Sequence, residues 1–174
     1  CLNDAATGLI DCGNRANSGS WTVPATAVSG IYVAKVIRAD TGGASHIVFV
    51  VRNDASTADV LFQTSDTTWQ AYNNYGGNSL YTGSPANRAY KVSYNRPFNT
   101  RVVDNGQDWL FNSEYPMLRW LEANGYNLSY VSGADTDRNP ALLLNRKVFM
   151  SVGHDEYWSG AQRANVEAAR NAGV

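Results

Sequence analysis

Between Lys147 and Gln162 the chain reads "KVFMSVGHDEYWSGAQ", an apolar run that passes directly into His154, Asp155 and Glu156. His154 and Glu156 stand two apart, so in an extended segment their side chains point to the same side while Asp155 points to the other. An imidazole beside a carboxylate suits metal ligation or general acid/base chemistry. The same residues also suit a plain polar loop in which Glu156 favours the N-terminus of the helix that follows. A second group lies in "DTTWQAYNNYGGNSLY", where Trp69, Tyr72, Tyr75 and Tyr81 are interleaved with Asn73, Asn74, Gly76, Gly77 and Asn78. Glycines permit close backbone approach to a ligand, and phenols can donate, accept or ligate. Such a stretch can equally be an aromatic-packed cover over a sheet end. In the third group, "GADTDRN", Asp135 and Asp137 offer oxygen ligands for a divalent cation or, as Asp more often does, Asx turns between elements. Both cysteines precede residue 13. A cysteine nucleophile in the later part of the chain is therefore excluded.

These groups need elements to hold them. After Asp54 strands alternate with helices, which predicts an α/β domain over residues 57–174 with an open, mostly parallel sheet of amidotransferase-like or flavodoxin-like type. "ADVLFQTS" (58–65), "NLSYVSG" (127–133) and "KVFMSVG" (147–153) are its expected strands. Ser113 as N-cap, Pro116 in the first turn, Met117, Leu118 and Leu121 at helical spacing and Gly125 as terminator predict one helix. Ser159 to Gln162 reads as a capping box opening a second helix through Arg170, with Ala164, Val166 and Ala169 as its buried stripe. In open parallel sheets ligands bind outside the carboxyl ends of the strands. The three groups follow three such ends, so Tyr72, Tyr75, Tyr81, Asp135, Asp137, His154 and Glu156 are candidates for a common pocket.

Residues 1–56 differ. "SGIYVAKVIRAD" and "ASHIVFVVRND" are strand-like and joined by the turn signal Thr41-Gly42-Gly43. They read as the C-terminal part of an immunoglobulin-like β-sandwich, too short for its seven or so strands. His46, at the start of a strand, is structural. The chain opens on Cys1 without a methionine and ends with a helix terminator followed by Val174, the expected start of another strand, so it reads as a piece of a longer protein.

Charges nearly cancel, 14 Lys and Arg against 15 Asp and Glu, and no basic run occurs. That excludes a nucleic-acid or anionic-membrane surface and points to a small-molecule or protein partner. No apolar run is long enough to span a membrane. Cys1 and Cys12 flank a polar loop containing Asn3, Asp4, Thr7 and Gly8, and either close a short disulfide, as in an exported, extracytoplasmic protein, or remain a pair of thiols.

Taken together and in order, "TWQAYNNYGGNSLY", "YNRPFNTR", "EYPMLRWLEANGYNLSYVSGADTD" and "GHDEYWS" resemble the large (beta) subunit family of N,N-dimethylformamidase over roughly residues 20–174. The resemblance implies a catalytic domain holding a mononuclear iron through two tyrosines and one glutamate, preceded by an immunoglobulin-like module. The family's His-Pro-Glu-Tyr-Trp is matched by "HDEYW" except for Asp155 in place of proline. By position Glu156 is then the carboxylate ligand and His154 the neighbouring base or substrate-orienting group. Tyr72 matches the first tyrosine, and Tyr81 is the choice for the second, with Tyr75, Tyr90, Tyr94 and Tyr115 as rivals. Trp69, Asn73 and Tyr75 are the candidate substrate contacts. The implied activity is iron-dependent hydrolysis of a C–N amide bond in a small substrate, within a larger oligomer. The alternative is a non-catalytic relative whose aromatic loop binds a ligand such as a glycan or joins a surface assembly.

Overall fold

The computed structural model describes residues 1–99 and 109–174. Thr100 and Arg101, the end of the "YNRPFNTR" motif, lie outside them. The chain forms two units, one of Cys1–Thr22, Ser65–Met117 and Val152–Trp158, the other of Val23–Thr64, Leu118–Ser151 and Ser159–Val174.

In the first unit the polar segment between the cysteines is a small hairpin. Strand β1 (Leu2–Asp4) pairs antiparallel with β2 (Leu9–Asp11), and a Cys1–Cys12 disulfide closes its open end. Asp4 organises the turn by accepting from the Ala6 N–H at 3.0 Å and the Thr7 hydroxyl at 2.6 Å. Gly8 has φ +74°, and a Cβ there would lie 2.0 Å from the Ser84 carbonyl oxygen, so only glycine fits.

Helix α1 (Asp66–Tyr72) occupies part of what the sequence suggested as a loop. Thr67, Thr68, Trp69 and Tyr72 are weak helix formers, and Ser65 makes no side-chain cap. The missing cap comes from far along the chain. Glu114, fully buried at the start of α2 (Glu114–Ala123), accepts from the Ser65 N–H at 2.7 Å and from Trp69 Nε1–H at 2.8 Å. Trp69 meets Trp109 edge-on, and Trp109 stacks on Phe98 at 4.3 Å, giving this unit an aromatic core. Pro116 lies in the first turn of α2, and the helix stops where Gly125 takes φ +72° and the Tyr126 N–H reaches back to the Leu121 carbonyl at 3.2 Å. Leu118 and Leu121 are buried as their spacing predicts, whereas Met117 is exposed.

The second unit begins with an eight-residue antiparallel pair, β3 (Gly30–Ile37) and β4 (Ala44–Val51), in register from Gly30 opposite Val51 to Ile37 opposite Ala44. Gly42, at φ +69°, makes the expected turn, and Tyr32 stacks on Phe49 across the pair. His46 is opposite Lys35. The three later strands also form: β5 (Val60–Thr64), β6 (Leu128–Ser132) and β7 (Val148–Ser151) make a parallel sheet in the order β6-β5-β7. The central strand is buried along its whole length, apolar Val60, Leu61 and Phe62 and polar Gln63 and Thr64 alike, as the middle strand of a parallel sheet should be.

Two helices depart from expectation in detail. "GADTDR" is not a turn but helix α3 (Gly133–Arg138), opened by a reciprocal capping box in which the Ser132 hydroxyl accepts from the Asp135 N–H and Asp135 Oδ2 accepts from the Ser132 N–H. Asp135 also pairs with Arg52, and Asp137 accepts from the Ser159 hydroxyl, so both carboxylates have protein partners. Helix α4 (Gly160–Asn171) starts at Ser159, whose hydroxyl accepts from the Gln162 N–H at 2.9 Å. Its inner stripe is Gln162, Val166 and Ala169; Ala164 faces out, because i, i+4, i+7 spacing counts from Gln162. Leu61, Val131, Leu142, Leu143 and Ala169 form the core under the sheet, with Phe149, Val166 and Val174 against it. Gln162 reaches the buried Gln63 side chain at 3.1 Å, satisfying two amides that would otherwise be costly to bury.

Candidate active site

The chain leaves β5 into α1 and leaves β7 into residues 152–158, and these two segments of the first unit carry Tyr72 and Glu156. Helix α1 does more than present Tyr72 at its C-terminal end. The buried Thr68 hydroxyl accepts from the N–H groups of Glu156 and Tyr157 at 2.9 and 3.1 Å, and Thr67 donates to the Tyr157 carbonyl at 2.6 Å. Two neighbouring threonines thus fix the backbone that bears the carboxylate. Gly153 makes the bend before it, at φ +78°, where a Cβ would lie 2.3 Å from Ser113 Oγ.

Tyr81 reaches the same place from a turn tied by Ser79, whose hydroxyl accepts from the Tyr81 and Thr82 N–H groups at 3.1 and 3.0 Å. Arg96 holds the loop between the two tyrosines. It is nearly fully buried and donates to the carbonyls of Asn78 at 2.7 Å, Gln70 at 2.8 Å, Ser93 at 3.2 Å and Tyr75 at 3.5 Å. Burial without a neighbouring carboxylate among these partners pulls its guanidinium down to about 10.

The side chains converge on one atom. Tyr72 and Tyr81 each donate to Glu156 Oε2 at 2.9 Å, and His154 Nε2 lies 3.1 Å from the same oxygen. The two phenol rings stack with centroids 4.3 Å apart, and the imidazole stands edge-on to Tyr72. A fourth group joins them: Tyr157 donates from its hydroxyl to the Tyr81 oxygen at 2.8 Å. Desolvation, together with the bond to Glu156, raises the Tyr72 phenol above its ordinary range. Tyr81 is raised strongly by desolvation and by its bonds to Tyr157, Tyr72 and Glu156. At Glu156 partial desolvation opposes ionisation, but donation from Tyr81, Tyr72 and His154 outweighs it and lowers the carboxyl. The site is thus an ionised carboxylate held by neutral phenols. It is open to solvent, with Tyr81 43% exposed and the His154 and Glu156 side chains 46% and 41% exposed.

The other candidates lie elsewhere. Trp69 is buried with its indole N–H on Glu114, and Asn73 is fully buried, donating to the Pro97 carbonyl at 3.0 Å and accepting from the Asn99 N–H at 3.1 Å. Tyr75 is in the 3-10 turn Tyr75–Gly77. Of the alternative tyrosines, Tyr94 donates to Asp66 at 2.6 Å, Tyr115 packs edge-on against Phe111, and Tyr90 lies under the Arg88 guanidinium. Asp135 and Asp137 belong to the second unit. Among the described residues no group of three or more His, Cys, Asp and Glu is placed to hold a metal. The set at Glu156 falls outside that pattern because two of its oxygens are phenolic.

The family model for N,N-dimethylformamidase beta subunit-like, C-terminal, matches residues 1–174, the whole chain. The chain belongs to that family. No curated protein matches it. Within this dimethylformamidase-like chain, sequence reasoning passed over four groups: Tyr157, Thr68, Arg96 and Glu114. Arg96 stood in the open, as the basic residue of "YNRPF", and Tyr157 is the residue next to Glu156. Neither Thr68 nor Glu114 carried a signal of its own, since their importance comes from partners far away in the chain.

Proposed function

We propose that this chain is the catalytic part of a metal-dependent amidohydrolase acting on a C–N amide bond of a small substrate, with a mononuclear iron held by Tyr72, Tyr81 and Glu156. The observation that carries this reading is the convergence of two phenol oxygens on one carboxylate oxygen, each at 2.9 Å. The donor set fits a hard cation: three anionic oxygens once the two phenol protons are lost, and a cation can hold a phenol deprotonated despite its ordinary pKa of about 10. Iron, when bound, would supply Lewis-acid polarisation of an amide carbonyl and an acidified water.

The chain's own groups have separable tasks. Thr67 and Thr68 orient the carboxylate segment, and Arg96 fixes the loop that spaces the tyrosines. His154, half-exposed beside Glu156, donates from Nε2 to the carboxylate, which leaves its Nδ1 as the ring nitrogen to accept a proton and return it to the leaving amine. The rings of Tyr72, Tyr81 and Tyr157 flank the carboxylate, whose open side is reachable by a small amide. Membership of a family described as beta subunit-like supports an amidase and a place in a larger assembly. An immunoglobulin-like origin for the β3–β4 pair, a flavodoxin-like sheet and an extracytoplasmic location complete the proposal; the Cys1–Cys12 disulfide favours the last.

The test is amine release from a panel of small formamides and acetamides by the iron-loaded chain, beside its His154→Ala variant. Turnover by the parent, reduced about 100-fold or more in His154→Ala with iron retained, is the expected result for loss of a general base. An iron-loaded parent that hydrolyses none of the panel counts against catalysis and leaves a ligand-binding role.

A further inference from the structure

Tyr157 joins the cluster through Tyr81, whereas Tyr72, Tyr81 and His154 each reach Glu156 Oε2. Its hydroxyl donates to Tyr81 at 2.8 Å, while Tyr81 donates onward to Glu156 at 2.9 Å. Its ring is perpendicular to that of Tyr81, with centroids 6.1 Å apart, and also edge-on to Tyr72. Its backbone is held on both sides, the N–H on Thr68 and the carbonyl on Thr67. The hydroxyl is therefore aimed by the framework and not by a flexible loop.

We propose that Tyr157 is a positioning residue that tunes Tyr81, remaining hydrogen-bonded to the Tyr81 oxygen after that oxygen has given up its proton to become a ligand. The inference rests on the iron reading given above. The direction of donation makes it specific: Tyr157 is the hydrogen-bond donor to the Tyr81 oxygen, so loss of the Tyr81 proton leaves this bond intact and makes it charge-assisted, and such bonds are shorter and stronger than neutral ones. A donated hydrogen bond stabilises the lone pairs of a phenolate. It therefore lowers the phenolate as an electron donor, orients the ring, and leaves more Lewis acidity for a substrate carbonyl.

The test is spectroscopic and uses the whole chain loaded with ferric iron, read by metal content and by the visible phenolate-to-iron charge-transfer band. Tyr157→Phe keeps the ring and removes only the hydroxyl. The expected result is iron content equal to the parent and a band moved to longer wavelength, because an unbonded phenolate gives up charge more easily. Equal iron with an unmoved band overturns the role of Tyr157 and leaves the Tyr72, Tyr81 and Glu156 set standing. Loss of iron as complete as in Tyr81→Phe also overturns it, by making Tyr157 a ligand. A parent that takes up no iron overturns the metal reading itself, and this inference with it. Should Tyr157→Phe fail to fold, resonance Raman of the parent decides: the phenolate C–O stretch shifts in deuterated water if Tyr81 carries the bond, and an exchange-insensitive stretch refutes it.

Discussion

Replacing Glu114 by glutamine removes an ionisable group from the interior while keeping its shape. Glu114 is fully buried; burial pushes its carboxyl up from 4.5 to about 8, against the opposing donation from Ser65 and Trp69, with Asp66 raising it further. A carboxyl whose folded pKa lies above its unfolded value binds a proton in the fold that the unfolded chain has already lost. Its contribution to stability is therefore complete below pH 4.5, declines as pH rises, and levels off above about 8. The slope from one such group is at most about 1.4 kcal/mol per pH unit. Glutamine does not titrate, but its amide nitrogen must face one of the two donors, Ser65 N–H or Trp69 Nε1–H. Leaving one buried donor unsatisfied costs about 1–3 kcal/mol. Urea unfolding followed by tryptophan fluorescence across this range should find Glu114→Gln less stable than the parent by that amount near pH 5, with the gap narrowing and then reversing toward pH 9. A gap that stays constant, or widens with pH, would refute the reasoning, because it would mean that Glu114 is ionised throughout and stabilised by its two donors.

Other positions give independent checks. Thr68→Val is close to isosteric but leaves the Glu156 and Tyr157 N–H groups without their acceptor; a loss of about 1–3 kcal/mol is expected, with weakened iron retention, and unaltered metal affinity would show that Thr68 does not orient Glu156. Arg96→Leu strands the carbonyls of Gln70 and Asn78 and should cost about 2 kcal/mol or more in chemical denaturation, whereas a neutral effect would mean that the loop holds its shape unaided. Leu143→Ala, at a fully buried core position of the second unit, should lower stability by about 2–5 kcal/mol in chemical denaturation; a neutral effect would contradict a close-packed core at that position.

Local chemistry explains which elements could be read from the sequence. The Thr41-Gly42-Gly43 turn, the buried run of β5 and the Ser159 cap of α4 are each specified within a few residues, and each forms as read. Helix α1 was illegible because its threonines and aromatics favour other conformations and its cap is a carboxylate 49 residues away. Helix α3 was misread for a different reason: Asp-Thr-Asp suggests turns, while the Ser132-to-Asp135 spacing is itself a capping box. At the site, the same-side reading of His154 and Glu156 led to both meeting at Oε2. Tyr157 was not singled out, because the segment bends at Gly153 and hangs from Thr68 instead of continuing β7, a path that strand alternation does not describe. The pairing of Tyr72 with Tyr81 came from a resemblance, since nothing in their spacing of nine residues predicts stacked rings.

The central claim is that Tyr72, Tyr81 and Glu156 act together as a metal-binding set, and metal analysis of the purified chain tests it most directly. After incubation with iron and removal of the excess, the account predicts one tightly held iron per chain, lost in Tyr72→Phe, in Tyr81→Phe and in Glu156→Gln although each variant remains folded. A parent that retains no iron, or three variants that all hold it as the parent does, would contradict the account.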